Sequence, residues 1–192
     1  MPTEHEYKYV LDIKTDEDFF VDNCKRHYRI QQGYLVFADD MACRIRSSVP
    51  VENNQLLENE KQWFFTFKKK VSSRVIEIEQ IIDERDANHL WDVSINKLVK
   101  DRYVVEDDFD WEIDFFKNDE KRYFVLAEVE LEEGSSKVEL PSFVVDWLKY
   151  EVPLTDNRFA NTKLSDLEHV SRIYNQLNGV KNDNSSKEKE SL

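Results

Sequence analysis

The chain has 192 residues, of which 40% are hydrophobic and 12% aromatic, with only 3 Gly and 4 Pro; this is the make-up of a globular domain able to bury a core, not of a disordered segment. Its formal net charge of −13 disfavours nonspecific binding to nucleic acid, which depends on Lys and Arg neutralising phosphates, although a cavity can differ in sign from the surface around it. Apolar runs such as Trp63-Phe64-Phe65 are far too short to span a membrane. The start, Met1-Pro2-Thr3-Glu4, lacks the basic and apolar regions of a signal peptide. The expected location is therefore the cytoplasm, with Cys24 and Cys43 as free thiols in a reducing compartment; one disulfide between them stays open as the alternative.

The dominant hydrophobic period is two rather than 3.6. In chain order, the pattern predicts a strand at 3–12 and a helix at 16–27, which opens at Thr15-Asp16 and carries Phe19, Phe20 and Cys24 on one face. Strands follow at 29–38 and 41–48, then a polar hairpin loop at 50–60, then strands at 61–70 and 73–82. A second helix is expected at 83–97, where Asp83-Glu84 suits an N-terminus and Leu90, Trp91 and Ile95 supply an apolar face. Three more strands occupy 98–106, 109–117 and 122–132. Pro141 then precedes a short helix around Phe143, Val144, Trp147 and Leu148, and a last helix covers 164–178, with Ser165 and Glu168 as a capping box. Residues 1–178 read as one domain and 179–192 as a disordered tail.

Side chains alternate between the two faces of a strand, and here one face is repeatedly charged. Glu4, Glu6 and Lys8 lie opposite Tyr7, Tyr9 and Leu11. Arg44 and Arg46 lie opposite Cys43 and Ile45, and Thr66, Lys68 and Lys70 opposite Phe65 and Phe67. Glu77 and Glu79 alternate with Ile76 and Ile78, Glu112 and Asp114 with Trp111, Ile113 and Phe115, and Glu128 and Glu130 with Ala127, Val129 and Leu131; Lys100 and Arg102 share a face of their strand. Any one of these strands fits a sheet with a solvated charged face. Taken together, like-charged pairs two residues apart repel unless something lies between them. An eight-stranded antiparallel β-barrel (an α+β architecture), closed, charged inside and covered by helices outside, resolves the conflict. Carboxylate pairs would then hold a hard divalent cation through oxygen, and Arg and Lys clusters would hold phosphate oxygens. Both halves together suit a metal–polyphosphate complex. The remaining histidines, His27, His89 and His169, make no triad or metal spacing, and the tryptophans are expected to pack barrel against helices. No glycine-rich phosphate loop and no serine nucleophile turn is present.

The ordered series of motifs resembles a known family. Glu4-His5-Glu6-Tyr7-Lys8 matches the ExExK opening of the CYTH superfamily, the triphosphate tunnel metalloenzymes. Gln32-Gly33-Tyr34-Leu35, Arg44-Ile45-Arg46, Thr66-Phe67-Lys68, Arg74 with Glu77 and Glu79, Lys100-Asp101-Arg102-Tyr103, Trp111-Glu112-Ile113-Asp114 and Ala127-Glu128-Val129-Glu130-Leu131 follow in the family's order. Glu151-Val152, Thr155-Asp156, Arg158-Phe159 and Asn161 resemble the closing segment of compact bacterial members. His5 and Tyr7 depart from the residues often found inside the first motif, at positions that carry no chemistry.

The resemblance implies an eight-stranded tunnel and a triphosphate substrate handled with Mg²⁺ or Mn²⁺. On this reading Glu4, Glu6, Asp114, Glu128 and Glu130 hold metal, and Arg44, Arg46, Lys68, Lys70, Lys100 and Arg102 bind the phosphate chain. Lys8 pairs with Tyr34 near the reacting group, and Glu77 and Glu79 orient or deprotonate the attacking water. The expected activity is hydrolysis of inorganic tripolyphosphate or a related triphosphate. The alternatives are a class IV type adenylate cyclase making cyclic AMP and pyrophosphate from ATP, a thiamine triphosphatase, and a binding module without turnover. No nucleic-acid or membrane partner is expected, and a homodimer stays open.

Overall fold

The computed structural model describes residues 4–38, 40–71, 74–119, 121–132 and 139–179, and of Glu4, His5, Arg74 and Glu132 the backbone alone. The tail expected from 179 onward therefore lies, beyond Gly179, outside the described residues. The eight expected strands are all present: β1 (Glu4–Leu11), β2 (Arg26–Ala38), β3 (Met41–Glu52), β5 (Gln62–Val71), β6 (Arg74–Ile82), β7 (Asn96–Glu106), β8 (Asp110–Asn118) and β9 (Lys121–Glu132). Two more join them. β4 (Gln55–Leu56) folds back on β3 within the predicted loop, across a turn whose Asn53 and Asn54 both take positive φ, and β10 (Leu148–Val152) pairs with β1.

The sheet order is β10-β1-β9-β8-β7-β2-β3-β5-β6, antiparallel throughout. Among the described residues it has ten strands and does not close, which corrects the expectation of a closed eight-stranded barrel. The reason is β10. It takes the second edge of β1 from Lys8↔Val152 to Leu11↔Leu148, the edge that closure onto β6 would require, and β6 pairs with β5 alone. The sheet nevertheless curls, because one cavity is lined by Glu6 and Lys8 of β1 and by Lys68, Lys70 and Val75 of β5 and β6.

The helices are shorter than their periodicity suggested. α1 (Glu17–Asn23) is capped by Asp16, whose carboxylate accepts from Asp18 N, and ends where Lys25 N bonds to Val104 O and the chain enters β2. α2 (Glu84–Asp92) is capped by Asp83 and stops before Val93 and Ile95, β-branched residues that feed β7. α3 (Ser142–Val145) ends before Trp147 and Leu148, because Leu148 already belongs to β10. The last helix is two helices, α4 (Asn161–Leu164) and α5 (Leu167–Leu177). Asp166, not Ser165, caps α5, accepting from Glu168 N and His169 N, while Ser165 donates to Thr162 O.

Three apolar clusters hold the layers together. On the convex face Tyr9, Tyr103, Trp111, Ile113, Phe115 and Val129 pack under Phe20 of α1 and Val144 of α3. Ile45 and Trp63 pack under Ala87 of α2, and Trp91 meets Trp63 edge-on. The third cluster lies on the concave side. Val10, Tyr34, Leu98, Phe116, Phe124 and Leu126 meet Phe159, Leu164, Val170 and Ile173, so the C-terminal segment plugs one end of the groove. Both cysteines are free thiols, and among the described residues no helix is long and apolar enough to cross a membrane.

A charge network ties α1 to the convex side of the sheet. Asp101 accepts from Arg29 at 2.5 Å and from Lys117 at 2.5 Å; Lys117 also reaches Glu17 of α1 at 2.9 Å, and Arg122 bonds Glu17 at 2.7 Å. Burial opposes ionisation of Asp101, but His27, Lys117 and Arg29 outweigh it and hold its pKa far below the usual carboxylate range. Its folded pKa thus lies under the unfolded value of about 4, so its stabilisation is complete above that pH and is lost as the pH falls below it. Asp101→Asn is expected to cost about 3 kcal/mol in urea unfolding at pH 7, and to flatten the loss of stability between neutral and acid pH relative to the parent protein.

Candidate functional site

Residues paired directly across a ladder share a face, so the register fixes which side chains meet. From β1 to β6 one row runs without a break. Glu6 faces Glu130, Lys8 faces Glu128, Glu128 faces Glu112 and Asp114 faces Arg102. Tyr28 continues from Arg102, and Ile30 from Lys100. Gln32 then faces Arg46, Tyr34 faces Arg44, Arg44 faces Thr66, Thr66 faces Glu79 and Lys68 faces Glu77. Every charged set read from strand alternation therefore lies on the concave face. The side chain of Glu4 lies outside the described residues; its backbone pairs with Glu132 at the start of the row.

The first wall is acidic. Glu6, Glu112, Glu128 and Glu130 line a cavity of about 270 Å³. Two of its cross-strand pairs, Glu6↔Glu130 and Glu112↔Glu128, set like charges opposite each other, an arrangement that is unfavourable without counter-charge. Arg102 and Lys8 supply it. The Arg102 guanidinium donates from Nε and Nη2 to the two oxygens of Asp114, each at 2.7 Å, from Nη2 to Glu128 at 3.2 Å, and its Nη1 pairs with Glu112. Burial alone would weaken its hold on a proton, but Asp114, Glu112 and Glu128 raise its pKa well above the usual arginine value. Lys8 pairs with Glu128 and, at 2.7 Å, with Glu6. Burial again disfavours the Lys8 charge, and Glu128 and Glu6 overcome it and push its pKa up.

Asp114 and Lys100 are fully buried and bonded to each other. Burial opposes the Asp114 charge, yet Arg102 and Lys100 keep the carboxylate ionised with a pKa far below the ordinary range. The Lys100 ammonium also lies 5.4 Å from the centre of the Phe116 ring, at the seam between the charged groove and its apolar plug. Glu112 behaves differently: desolvation raises its pKa, with Asp114 and Glu128 adding to the effect and Arg102 opposing it.

The second wall is basic. Arg44, Lys68 and Lys70, with Glu6, Lys8 and Tyr34, line a cavity of about 410 Å³, closed on one side by Ala160, Asn161 and Thr162. Glu79 accepts from Thr66 at 2.7 Å, from Arg46 at 3.1 and 3.2 Å and lies 3.7 Å from Arg44; Glu77 pairs with Lys68 at 2.9 Å. The two walls interact across the groove. Desolvation opposes ionisation of Glu6, but Lys8, Lys68 on the opposite wall and Arg102 hold its pKa low. Burial and repulsion from Arg44 lower the pKa of Arg46, which also senses Arg102 and Glu112.

The structure thus gathers Glu6, Lys8, Glu128, Glu130, Asp114, Lys100 and Arg102 at one wall and Tyr34, Arg44, Arg46, Lys68, Lys70, Glu77 and Glu79 at the other. Three residues without an assigned role belong with them. Glu112 pairs with Arg102, Thr66 holds Glu79, and Gln32 donates to the Tyr34 hydroxyl. The signal for Glu112 was its place two residues from Asp114; nothing local distinguishes Gln32 from any polar strand residue. His27 stacks on Tyr103 and His169 meets the Arg158 carbonyl, so neither enters the groove. The acidic wall supplies oxygen donors of the kind a hard divalent cation takes. Among the described residues, however, no three acidic, His or Cys groups converge to ligate an ion, because Lys8 and Arg102 occupy Glu128, and Lys100 and Arg102 occupy Asp114.

No protein-family model matches the sequence, and no curated protein matches it significantly. Solved structures match in shape. A crystal structure of the inorganic triphosphatase NE1496 covers 86% of this chain and 95% of its own, with 24% identity and a TM-score of 0.53. Another, described as the hypothetical protein NE1496, covers 85% and 97% with 25% identity and a TM-score of 0.54. The PH1819 protein from Pyrococcus horikoshii OT3 covers 91% and 89% with 18% identity and a TM-score of 0.46. The fold of this chain is the CYTH fold, in agreement with the resemblance carried by its motifs.

Asp114 neutralises two buried cations, so removing its charge leaves both uncompensated. Asp114→Asn is expected to lower stability by about 3–5 kcal/mol in denaturant. Combining Lys100→Met with Asp114→Leu is expected to cost clearly less than the sum of the two single changes.

Proposed function

We propose that the groove hydrolyses the terminal phosphate of inorganic tripolyphosphate or a closely related triphosphate. One observation carries this reading: an acidic wall and a basic wall share one concave face, and Glu6 and Lys8 of the first line one cavity with Arg44, Lys68 and Lys70 of the second. Either wall alone would suit a cation or an anion; both together suit an anion that brings a cation with it. The description of NE1496 as an inorganic triphosphatase supports the choice of substrate.

Arg44, Arg46, Lys68, Lys70, Lys100 and Arg102 would hold the phosphate oxygens and offset charge that builds in the transition state. Lys100 and Arg102 act from the buried end, where they also anchor Asp114. Glu77 and Glu79 keep the opposite cations in place in the free protein; once phosphate engages those cations, the two carboxylates can orient the attacking water. Mg²⁺ or Mn²⁺ fits the donor set of the acidic wall, with Glu6, Glu128 and Glu130 as its ligands, joined by Glu4 and Asp114. Such an ion would polarise phosphate oxygens and lower the pKa of a bound water. To serve it, Glu128 must exchange its contacts with Lys8 and Arg102 for the ion. Lys8 and Tyr34, which line the same cavity, would supply or hold a proton near the reacting oxygen.

Purified protein with Mg²⁺ or Mn²⁺ is expected to release phosphate from tripolyphosphate faster than from ATP, thiamine triphosphate or pyrophosphate, and to lose the activity in excess chelator. Glu128→Gln is expected to lower kcat by about 100-fold or more, and Arg44→Ala to raise KM about tenfold. Cyclic AMP and pyrophosphate as products from ATP would instead establish a cyclase, and tight binding without any product would establish a binding module.

A further inference from the structure

Gln32 and Tyr34 stand two residues apart on β2, on the concave face, and both are buried. The Gln32 side chain bridges two groups. Its Oε1 accepts from Arg44 Nη1 at 3.4 Å, and its Nε2 donates to the Tyr34 hydroxyl oxygen. A guanidinium can only donate. Arg44 therefore fixes which end of the amide is oxygen, and the amide in turn presents an N–H to Tyr34. The phenol oxygen is then an acceptor toward Gln32, and its own hydrogen has to point elsewhere. Among the described residues no acceptor takes that hydrogen, while the hydroxyl belongs to a side chain lining the cavity with Lys8, Arg44 and Lys68. Burial pushes the Tyr34 pKa up to about 12 against the pull of Arg44, Gln32 and Lys8, so the hydrogen is retained at neutral pH.

We infer that Gln32 is a positioning residue that sets the hydrogen-bond polarity of Tyr34, turning its O–H into the groove as a donor to a phosphate oxygen. This rests on the triphosphatase reading for the identity of the acceptor, but the direction of the O–H does not. The chain Arg44 to Gln32 to Tyr34 also couples the basic wall to the phenol: the arginine that meets the phosphate chain orients, through one amide, the donor beside it.

The isosteric change Gln32→Glu reverses the polarity, because a carboxylate still accepts from Arg44 but can only accept from Tyr34 as well. With Tyr34→Phe as the reference, we expect kcat on tripolyphosphate to fall about 100-fold and KM to stay within about threefold. Gln32→Glu should match that loss, and the double variant should be no slower than either single variant. Lowering the pH far enough to protonate the new carboxyl should restore part of the activity of Gln32→Glu but none of that of Tyr34→Phe. Should Gln32→Glu fail to fold, as judged by thermal unfolding, Gln32→Met replaces it, with a smaller loss that vanishes in a Tyr34→Phe background. Losses that multiply in the double variant, or near-parental kcat in both Gln32 variants, would overturn the inference. Neutron diffraction of the parent protein separates it from the functional reading: a deuteron bonded to the Tyr34 oxygen and directed at Gln32, in place of one bonded to Gln32 Nε2 and directed at Tyr34, refutes the polarity outright. A deuteron in the groove, with no triphosphate turned over, leaves the positioning intact and removes only the hydrolase.

Discussion

The organisation of the groove depends on one guanidinium. Arg102 reaches Asp114 with two hydrogen bonds and touches Glu112 and Glu128 besides. Those three carboxylates come from two adjacent strands and lie on one face, where they would otherwise repel at close range in a partly dry setting. A planar, permanently charged fork can serve several carboxylates at once in fixed geometry; a lysine at the same place offers a single point charge. Lys100 and Lys8 complete the compensation on either side. The acidic wall is thus partly compensated before any ligand arrives, which lets its members stand so close together without unfolding the sheet.

This bears on how the groove accepts a ligand. On the function proposed, the internal ion pairs are also the groups that would hold phosphate and cation, so binding would exchange partners. Each exchange costs the protein an existing contact and returns one of similar kind, a balance in which a ligand carrying both signs fares better than one carrying either alone. An isolated phosphate would satisfy the basic wall while leaving the carboxylates with nothing new.

Much of this was legible in the sequence, and for a definite reason. Period-two alternation located eight strands, and the choice of Glu, Arg or Lys at every second position named the concave face from Glu6 to Glu79. Four features fall outside that pattern. β10 is a short strand of mixed residues, Leu148 to Val152, with no alternation long enough to register, so its occupation of the β1 edge and the resulting open sheet were invisible. The ends of α1 and α2 moved because Lys25 and Ile95 are drawn into backbone bonds with strand residues, Val104 and Tyr34, a tertiary effect that local propensity does not carry. The plug does leave a mark in the sequence: Tyr123 to Ala127 is apolar at consecutive positions, as in a strand covered on both faces, and Phe124 and Leu126 are the concave half of it. The Gln32 bridge could not be read at all, since it depends on which residues β2 and β3 set side by side.

Between Gln32 and Tyr34 sits Gly33, whose missing side chain would point the other way, out of the groove. A Cβ there would come within 2.4 Å of Ser94 Oγ, 2.9 Å of Ser94 Cβ and 3.3 Å of the Trp91 ring, and Ser94 is itself pinned by its bond to the Trp91 carbonyl at 2.6 Å. The spacing of the convex packing layer therefore governs the placement of two polar side chains on the far side of the same strand. A single methyl group added behind the sheet, far from any ligand, would lever the strand inward or drive the α2–β7 connection outward, and the chemistry of the groove is in that sense held to tolerance by the fit of a serine and an indole against bare backbone.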